Sequence, residues 1–113
     1  MFAPGFDDGI IARIETATGK PATSTSKGCI EAFETFDATK ITLTTPYIQD
    51  TNDREVVFLK SHGVEVLSET GLGITGDGAA MLAVEPEEWR RRVGDQDEPD
   101  SQAAFLSCTA IRA

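Results

Sequence analysis

Apolar positions in the first part of the chain recur at helical spacing. Phe6, Ile10, Ile11 and Ile14 share one face, Asp7 and Asp8 lie where a first turn favours acidic side chains, and Gly19 then Pro21 stop the run. The pattern predicts a helix. A small polar stretch, Thr23 to Ser26, leads into a second helical pattern carried by Cys29, Phe33 and Phe36. From Lys40 to Thr45 the period falls to two. Ile41 and Leu43 alternate with threonines, which predicts a strand, and Pro46 ends it. Asn52 and Glu55 make a capping-box-like pair and Gly63 supplies a stop. Val56 to Leu59 could be strand by composition, but these caps assign the segment to a helix. Val64 to Ser68 reads as a second strand and Gly71 to Gly78 as a glycine-rich loop. Pro86 opens a helix containing Trp89 and Arg90 to Arg92. Asp95, Asp97, Glu98, Pro99 and Asp100 then form a solvated connection. Ala103 to Leu106 is a third apolar strand, which delivers Ser107, Cys108 and Thr109 at its C-terminal end.

Strands alternating with helices imply βαβ units and a parallel sheet. The expected fold is three-layer α/β/α with a small parallel sheet. Such sheets need cover on both faces, and their sites form beyond the carboxyl ends of the strands. Tyr47 and Cys108 both fall at that edge. The helix that should cover the last strand is missing, so residues 1–113 are expected to form a single partial α/β domain.

Composition narrows the function classes. Ten Lys and Arg against nineteen Asp and Glu leave a net charge of −9, which repels phosphate backbones and anionic membranes. Neither nucleic acid nor a membrane is therefore an expected partner. A 40% hydrophobic and 26% charged content is that of a globular chain. No apolar run approaches the ~18 residues needed to span a bilayer. Met1 to Asp8 lacks the basic and apolar regions of a signal peptide, so the expected location is cytoplasmic. Cys29 and Cys108 are far apart, form no CxxC, and are accompanied by one His, so neither a metal site nor a disulfide framework is expected.

Among residues that could carry chemistry, Cys108 stands first. A thiol at a strand's C-terminal end, followed by polar Thr109, suits a nucleophile or an acid–base group facing the N–H groups of the next turn. From spacing alone the position better suits a small apolar residue closing a buried strand. Tyr47, directly after Pro46, could donate a hydrogen bond to a ligand carboxylate or simply end a strand half-buried. Cys29 shares a face with Phe33 and Phe36 and reads as core filler. His62, before Gly63, reads as a helix-end residue that caps carbonyls or faces water. Gly71, Gly73 and Gly76 satisfy GxGxxG, but Asp77 to Glu85 lacks a clear helix N-terminus to receive a pyrophosphate, so a flexible loop near the site is expected. Arg90 to Arg92 reads as a solvated helix face rather than an anion site.

An ordered set of short motifs adds a family resemblance. Thr45-Pro46-Tyr47, Asn52-Asp53-Arg54, Phe58-Leu59, Gly63, Glu65-Val66, Gly71-Leu72-Gly73-Ile74 and Phe105-Leu106-Ser107-Cys108-Thr109 resemble the maleate cis–trans isomerase and arylmalonate decarboxylase branch of the aspartate/glutamate racemase superfamily. Gly5 to Ser26 is similar as well, so the resemblance covers nearly the whole chain. It implies an incomplete version of that superfamily's fold and cofactor-independent chemistry on a small dicarboxylate or related acid. In such enzymes cysteine thiols act at a carbon next to a carboxylate while hydrogen-bond donors clamp the acid. By resemblance Cys108 matches the catalytic cysteine of the C-terminal half and Tyr47 the carboxylate-binding tyrosine. Thr109 lies in the turn whose N–H groups would face the substrate.

The departures define the alternatives. Family members are about twice as long, and their first cysteine lies in a Cys-Thr-Ser-Gly type loop that would precede Met1. The first strands, that loop and the helix beyond Ala113 are expected to be missing, and Cys29 matches an ordinary helix position. The isomerases usually place an asparagine after the aspartate of the glycine loop, whereas this chain has Asp77-Gly78. Gly73-Ile74-Thr75-Gly76 looks closer to the decarboxylases, and Cys108-Thr109 with Arg112 closer to the isomerases. Maleate-type isomerisation is the leading expectation, with arylmalonate-type decarboxylation or amino-acid racemisation behind it. A non-catalytic truncated or partner-dependent fragment is the rival of another class. A homo-oligomer or a missing N-terminal half is the expected partner, and no isomerase activity is expected of the 113 residues alone.

Overall fold

A computed structural model describes residues 5–76 and 78–112; Met1 to Pro4, Asp77, Ala113 and the Phe6 side chain lie outside the description. The aspartate of the Asp77-Gly78 step in the glycine loop thus falls outside the described residues. The described chain runs α1 (Phe6–Thr18), α2 (Thr25–Thr35), β1 (Lys40–Thr45), α3 (Gln49–Ser61), β2 (Glu65–Gly71), α4 (Gly78–Leu82), α5 (Pro86–Asp95) and β3 (Ala103–Leu106). The strands form one parallel sheet in the order β2-β1-β3. No helix among the described residues is long and apolar enough to cross a membrane.

β1 sits in the middle and is buried from Ile41 to Thr45. Ile41 and Leu43 point to one face, where Ile30 and Phe33 of α2 and Phe58 and Leu59 of α3 close over them. Phe105 of β3 meets Phe33 edge-on, with ring centroids 5.3 Å apart. Thr42 and Thr44 point to the other face, which α5 covers. Gln96, capping α5, donates from Nε2 to the Leu43 carbonyl at 2.9 Å and also bonds the Thr44 hydroxyl. Trp89 of the same helix is completely buried. The sheet is thus covered on both sides, as a parallel sheet requires.

Several expectations need correcting. The second helix begins at Thr25 because Ser24 is its cap, its hydroxyl accepting from Lys27 N at 3.0 Å and donating to Asp7 of α1 at 2.7 Å. Phe36 is not on a buried face: α2 has ended by then, and the ring is 77% exposed. On α1, Ile11 is buried while Ile10 and Ile14 face outward. The capping box at Asn52 and Glu55 does not exist. α3 starts a turn earlier, after Ile48, so both residues lie inside it and are fully buried. The second strand continues past Ser68 to Gly71, because pairing with β1 carries on to the end of that strand. The segment after Asp77 holds a five-residue helix, α4, where none was expected.

Gly71 is fixed by close approach. A Cβ there would overlap the Tyr47 carbonyl oxygen and lie 2.8 Å from Asn52 Nδ2. Two outcomes follow from this packing. Leu43→Ala, which empties a fully buried position, is expected to cost about 2–5 kcal/mol in urea unfolding. Gly71→Ala should cost about 1–3 kcal/mol although it adds one methyl group, because backbone must move to admit it.

Candidate functional site at the carboxyl edge of the sheet

β1 and β3 are neighbours, with Thr44 opposite Leu106, so the residues that follow each strand emerge side by side. That places Tyr47, two residues beyond β1, against Cys108, two residues beyond β3. The phenol hydroxyl lies within interaction range of the thiol sulfur. Burial is the main cause that raises the proton affinity of Tyr47, and the contact with Cys108, the charge at that sulfur and Glu55 all push the same way. The phenol therefore stays protonated, and remains a donor, well into the alkaline range.

Cys108 has two further neighbours. The backbone N–H of Ala110 donates to its sulfur at 3.3 Å, and the Met81 thioether of α4 lies 3.9 Å away. Its backbone adopts φ 155°, a region that side-chain-bearing residues rarely occupy and that clusters at functional sites. Thr109 is exposed in the same turn. Arg112 ties this segment back to α4 by donating from Nε to the Leu82 carbonyl at 2.8 Å. A thiol facing a backbone N–H and a phenol can give or take a proton at a carbon placed above this edge.

Beneath the pair lies a polar layer that the sequence did not reveal as such. Thr45 donates from its hydroxyl to Asn52 Oδ1 and accepts from the Tyr47 N–H at 3.1 Å, so Asn52 fixes the turn carrying the phenol. One helical turn further on, Glu55 is fully buried next to the Ser107 hydroxyl. Burial pushes its carboxyl up, partly offset by Ser107, yet neither carboxylate oxygen has a partner at good hydrogen-bond geometry among the described residues. The available signal was helical spacing. Asn52, Glu55, Val56 and Leu59 follow the core-facing i, i+3, i+4, i+7 stripe.

The other candidates lie apart from this chemistry. Cys29 packs against the hydrophobic core, its thiol pushed up by burial and then by the Glu55 charge. His62 is exposed and packs at a tilt against Phe58, with ring centroids 4.8 Å apart. The glycine loop does lie beside the site, but its first amides are already occupied: Leu72, Gly73 and Ile74 donate to the carbonyls of Thr45, Tyr47 and Pro46 at 2.9–3.0 Å, so these three do not form a phosphate cradle. Arg91 and Arg92 pair with Glu88 at 2.7 and 2.8 Å, and Arg90 with Glu87, as a solvated helix face. Among the described residues no group of three or more His, Cys, Asp or Glu could hold a metal ion.

This geometry can be set beside known proteins. The sequence profile described as arylmalonate decarboxylase matches residues 3–113. The arylmalonate decarboxylase of Bordetella bronchiseptica is 26% identical over 113 residues, spanning 94% of this chain and 45% of its own length. A crystal structure of arylmalonate decarboxylase superposes with a TM-score of 0.86 at 28% identity, covering 97% of this chain and 49% of that one. The maleate cis–trans isomerase of Nocardia farcinica bound to TRIS shares the fold, with a TM-score of 0.88 at 19% identity over 98% of this chain and 47% of its own. The chain thus spans about half the length of the relatives it matches. With the profile running through nearly every residue, from the first helix to the turn beyond Cys108, this chain belongs to the arylmalonate decarboxylase family.

Proposed function

We propose that this chain is the cysteine-bearing C-terminal portion of a cofactor-independent enzyme that moves a proton at the carbon next to a carboxylate. Cys108 gives and takes the proton, Tyr47 donates a hydrogen bond to the substrate carboxylate, and the turn at Thr109 faces the substrate. The observation that carries this reading is the Tyr47–Cys108 contact at the carboxyl edge, where parallel sheets place their ligands. A phenol kept protonated is a carboxylate donor at every physiological pH. The portion of the relatives that this chain does not span completes the site.

Maleate isomerisation is the leading reaction. A thiolate of the completing portion adds to one alkene carbon, and a proton from Cys108 goes to the other. Rotation about the C2–C3 bond follows. Cys108 then recovers the proton, the carbon–sulfur bond breaks and fumarate leaves. A mutant of the Nocardia farcinica maleate cis–trans isomerase holds a covalently bound succinylcysteine intermediate, the kind of species this route requires. Decarboxylation of an arylmalonate is the second reading. Met81 favours it, since a thioether beside the reacting sulfur makes an apolar wall suited to an aryl group. Loss of carbon dioxide then leaves an enediolate, which Cys108 protonates.

Alkylation of the two thiols by iodoacetamide, read by peptide mass mapping, tests the site without requiring turnover. Millimolar maleate is expected to slow labelling of Cys108 several-fold and leave Cys29 unchanged, with most of the protection lost in Tyr47→Phe. Stronger protection by phenylmalonate than by maleate selects the second reading. Equal labelling of Cys108 with and without both diacids overturns the proposal.

A further inference from the structure

Glu55 is the one carboxylate placed wholly inside the described structure without a good partner for either oxygen. A buried acid in that condition costs stability, and a leucine on the same helical stripe would pack at no such cost. Its surroundings suggest what the cost supports. It lies one turn along α3 from Asn52, whose Oδ1 takes the Thr45 hydroxyl at the turn carrying Tyr47, and its charge acts on Cys29 of α2 and on Tyr47, with the Ser107 hydroxyl after β3 beside it. Ser107 is itself pinned by its N–H to the Thr44 carbonyl at 3.0 Å and immediately precedes Cys108. The neighbouring Asp53 and Arg54 are exposed, Arg54 pairing with Asp50 at 2.9 Å, so the charges of α3 that face water are separate from this group.

We propose that Glu55 is a positioning residue for the Tyr47–Cys108 pair, acting on Tyr47 through space and on Cys108 through Ser107. This rests on the reading of that pair as the site. Glu55 touches neither substrate nor reacting carbon. Its part is to set, from beneath, how readily the phenol keeps its proton and how the turn presents the thiol. Burial holds the carboxyl neutral above the usual carboxylate range, and once ionised it opposes negative charge on Tyr47.

The chain has a single tyrosine, so absorbance at 295 nm titrates Tyr47 alone. In Glu55→Gln, which keeps the size and loses the charge, the phenolate is expected to appear at lower pH than in the wild type. Ser107→Ala, a small change, should alter the rate of Cys108 alkylation several-fold while Cys29 labels as before. Unchanged Tyr47 titration in a folded Glu55→Gln overturns the proposal. If that variant does not fold, an unchanged Cys108 rate in Ser107→Ala overturns it instead. Loss of diacid protection with these shifts intact would retire the catalytic reading and leave the positioning one.

A stability measurement checks the neutral acid directly. A carboxyl whose folded value is raised binds more protons folded than unfolded, so stability is lost as pH climbs above the unfolded value of about 4. Urea unfolding should show Glu55→Gln gaining on the wild type between about pH 4 and pH 7. A constant difference across that range would show that Glu55 is already ionised in the folded protein at acid pH.

Discussion

Everything in this structure hangs on β1 being buried on both faces and paired on both edges. A strand in that position has no choice of register. Each inward step commits Ile41 and Leu43 to the α2–α3 side and Thr42 and Thr44 to the α5 side, and a slip of one residue would exchange them. Two of the three buried threonines are relieved of the awkward consequence, polar side chains in a dry layer, while the Thr42 hydroxyl has no partner among the described residues. Gln96 reaches in from the end of α5 to satisfy Thr44, and Asn52 reaches in from α3 to take the hydroxyl of Thr45. The strand is therefore anchored by side-chain hydrogen bonds as well as by its ladders, and its end is held where Tyr47 must emerge.

The pieces legible in the sequence are those in which one short-range rule acted without a rival. β1 alternates cleanly, β3 is a compact apolar run, and α5 starts with proline at its first turn. The errors share one physical origin. Asn52 and Glu55 are residue types that cap helices at the surface and that also form polar braces in the interior, and spacing alone does not separate the two uses. β2 runs on through Ser68 and Glu69, whose own preferences for strand are modest, because β1 offers partners all the way to Gly71. Phe36 continues the apolar spacing of α2 past its end. There the chain turns at Asp37, with φ 54°, to enter the sheet, and the ring is left outside.

The site shows the same division. That Tyr47 and Cys108 would both lie at the carboxyl edge followed from the placement of ligands at the ends of parallel strands, whereas their meeting there depends on the pairing of β1 with β3, which no local pattern specifies. What lies underneath them did not follow. Glu55, Ser107 and Asn52 come from separate stretches of sequence, and only the packing of α3 against the sheet brings them together. A carboxyl this deep is legible only when burial is known, because its chemistry comes from the absence of water rather than from a motif.

The three hydrogen bonds from the glycine loop to the Thr45–Tyr47 turn have a mechanical consequence. Loop and turn move as a single rigid piece, since separating them strips three amides at once. Any opening of the mouth of the site must bend beyond Ile74, toward Gly76 with its φ of 104°. Moving α4 and Met81 away from the sulfur would also break the Arg112–Leu82 hydrogen bond, while Tyr47 stays fixed to the sheet. One wall of the candidate site is thus latched by the Arg112 hydrogen bond and the other is built into the sheet.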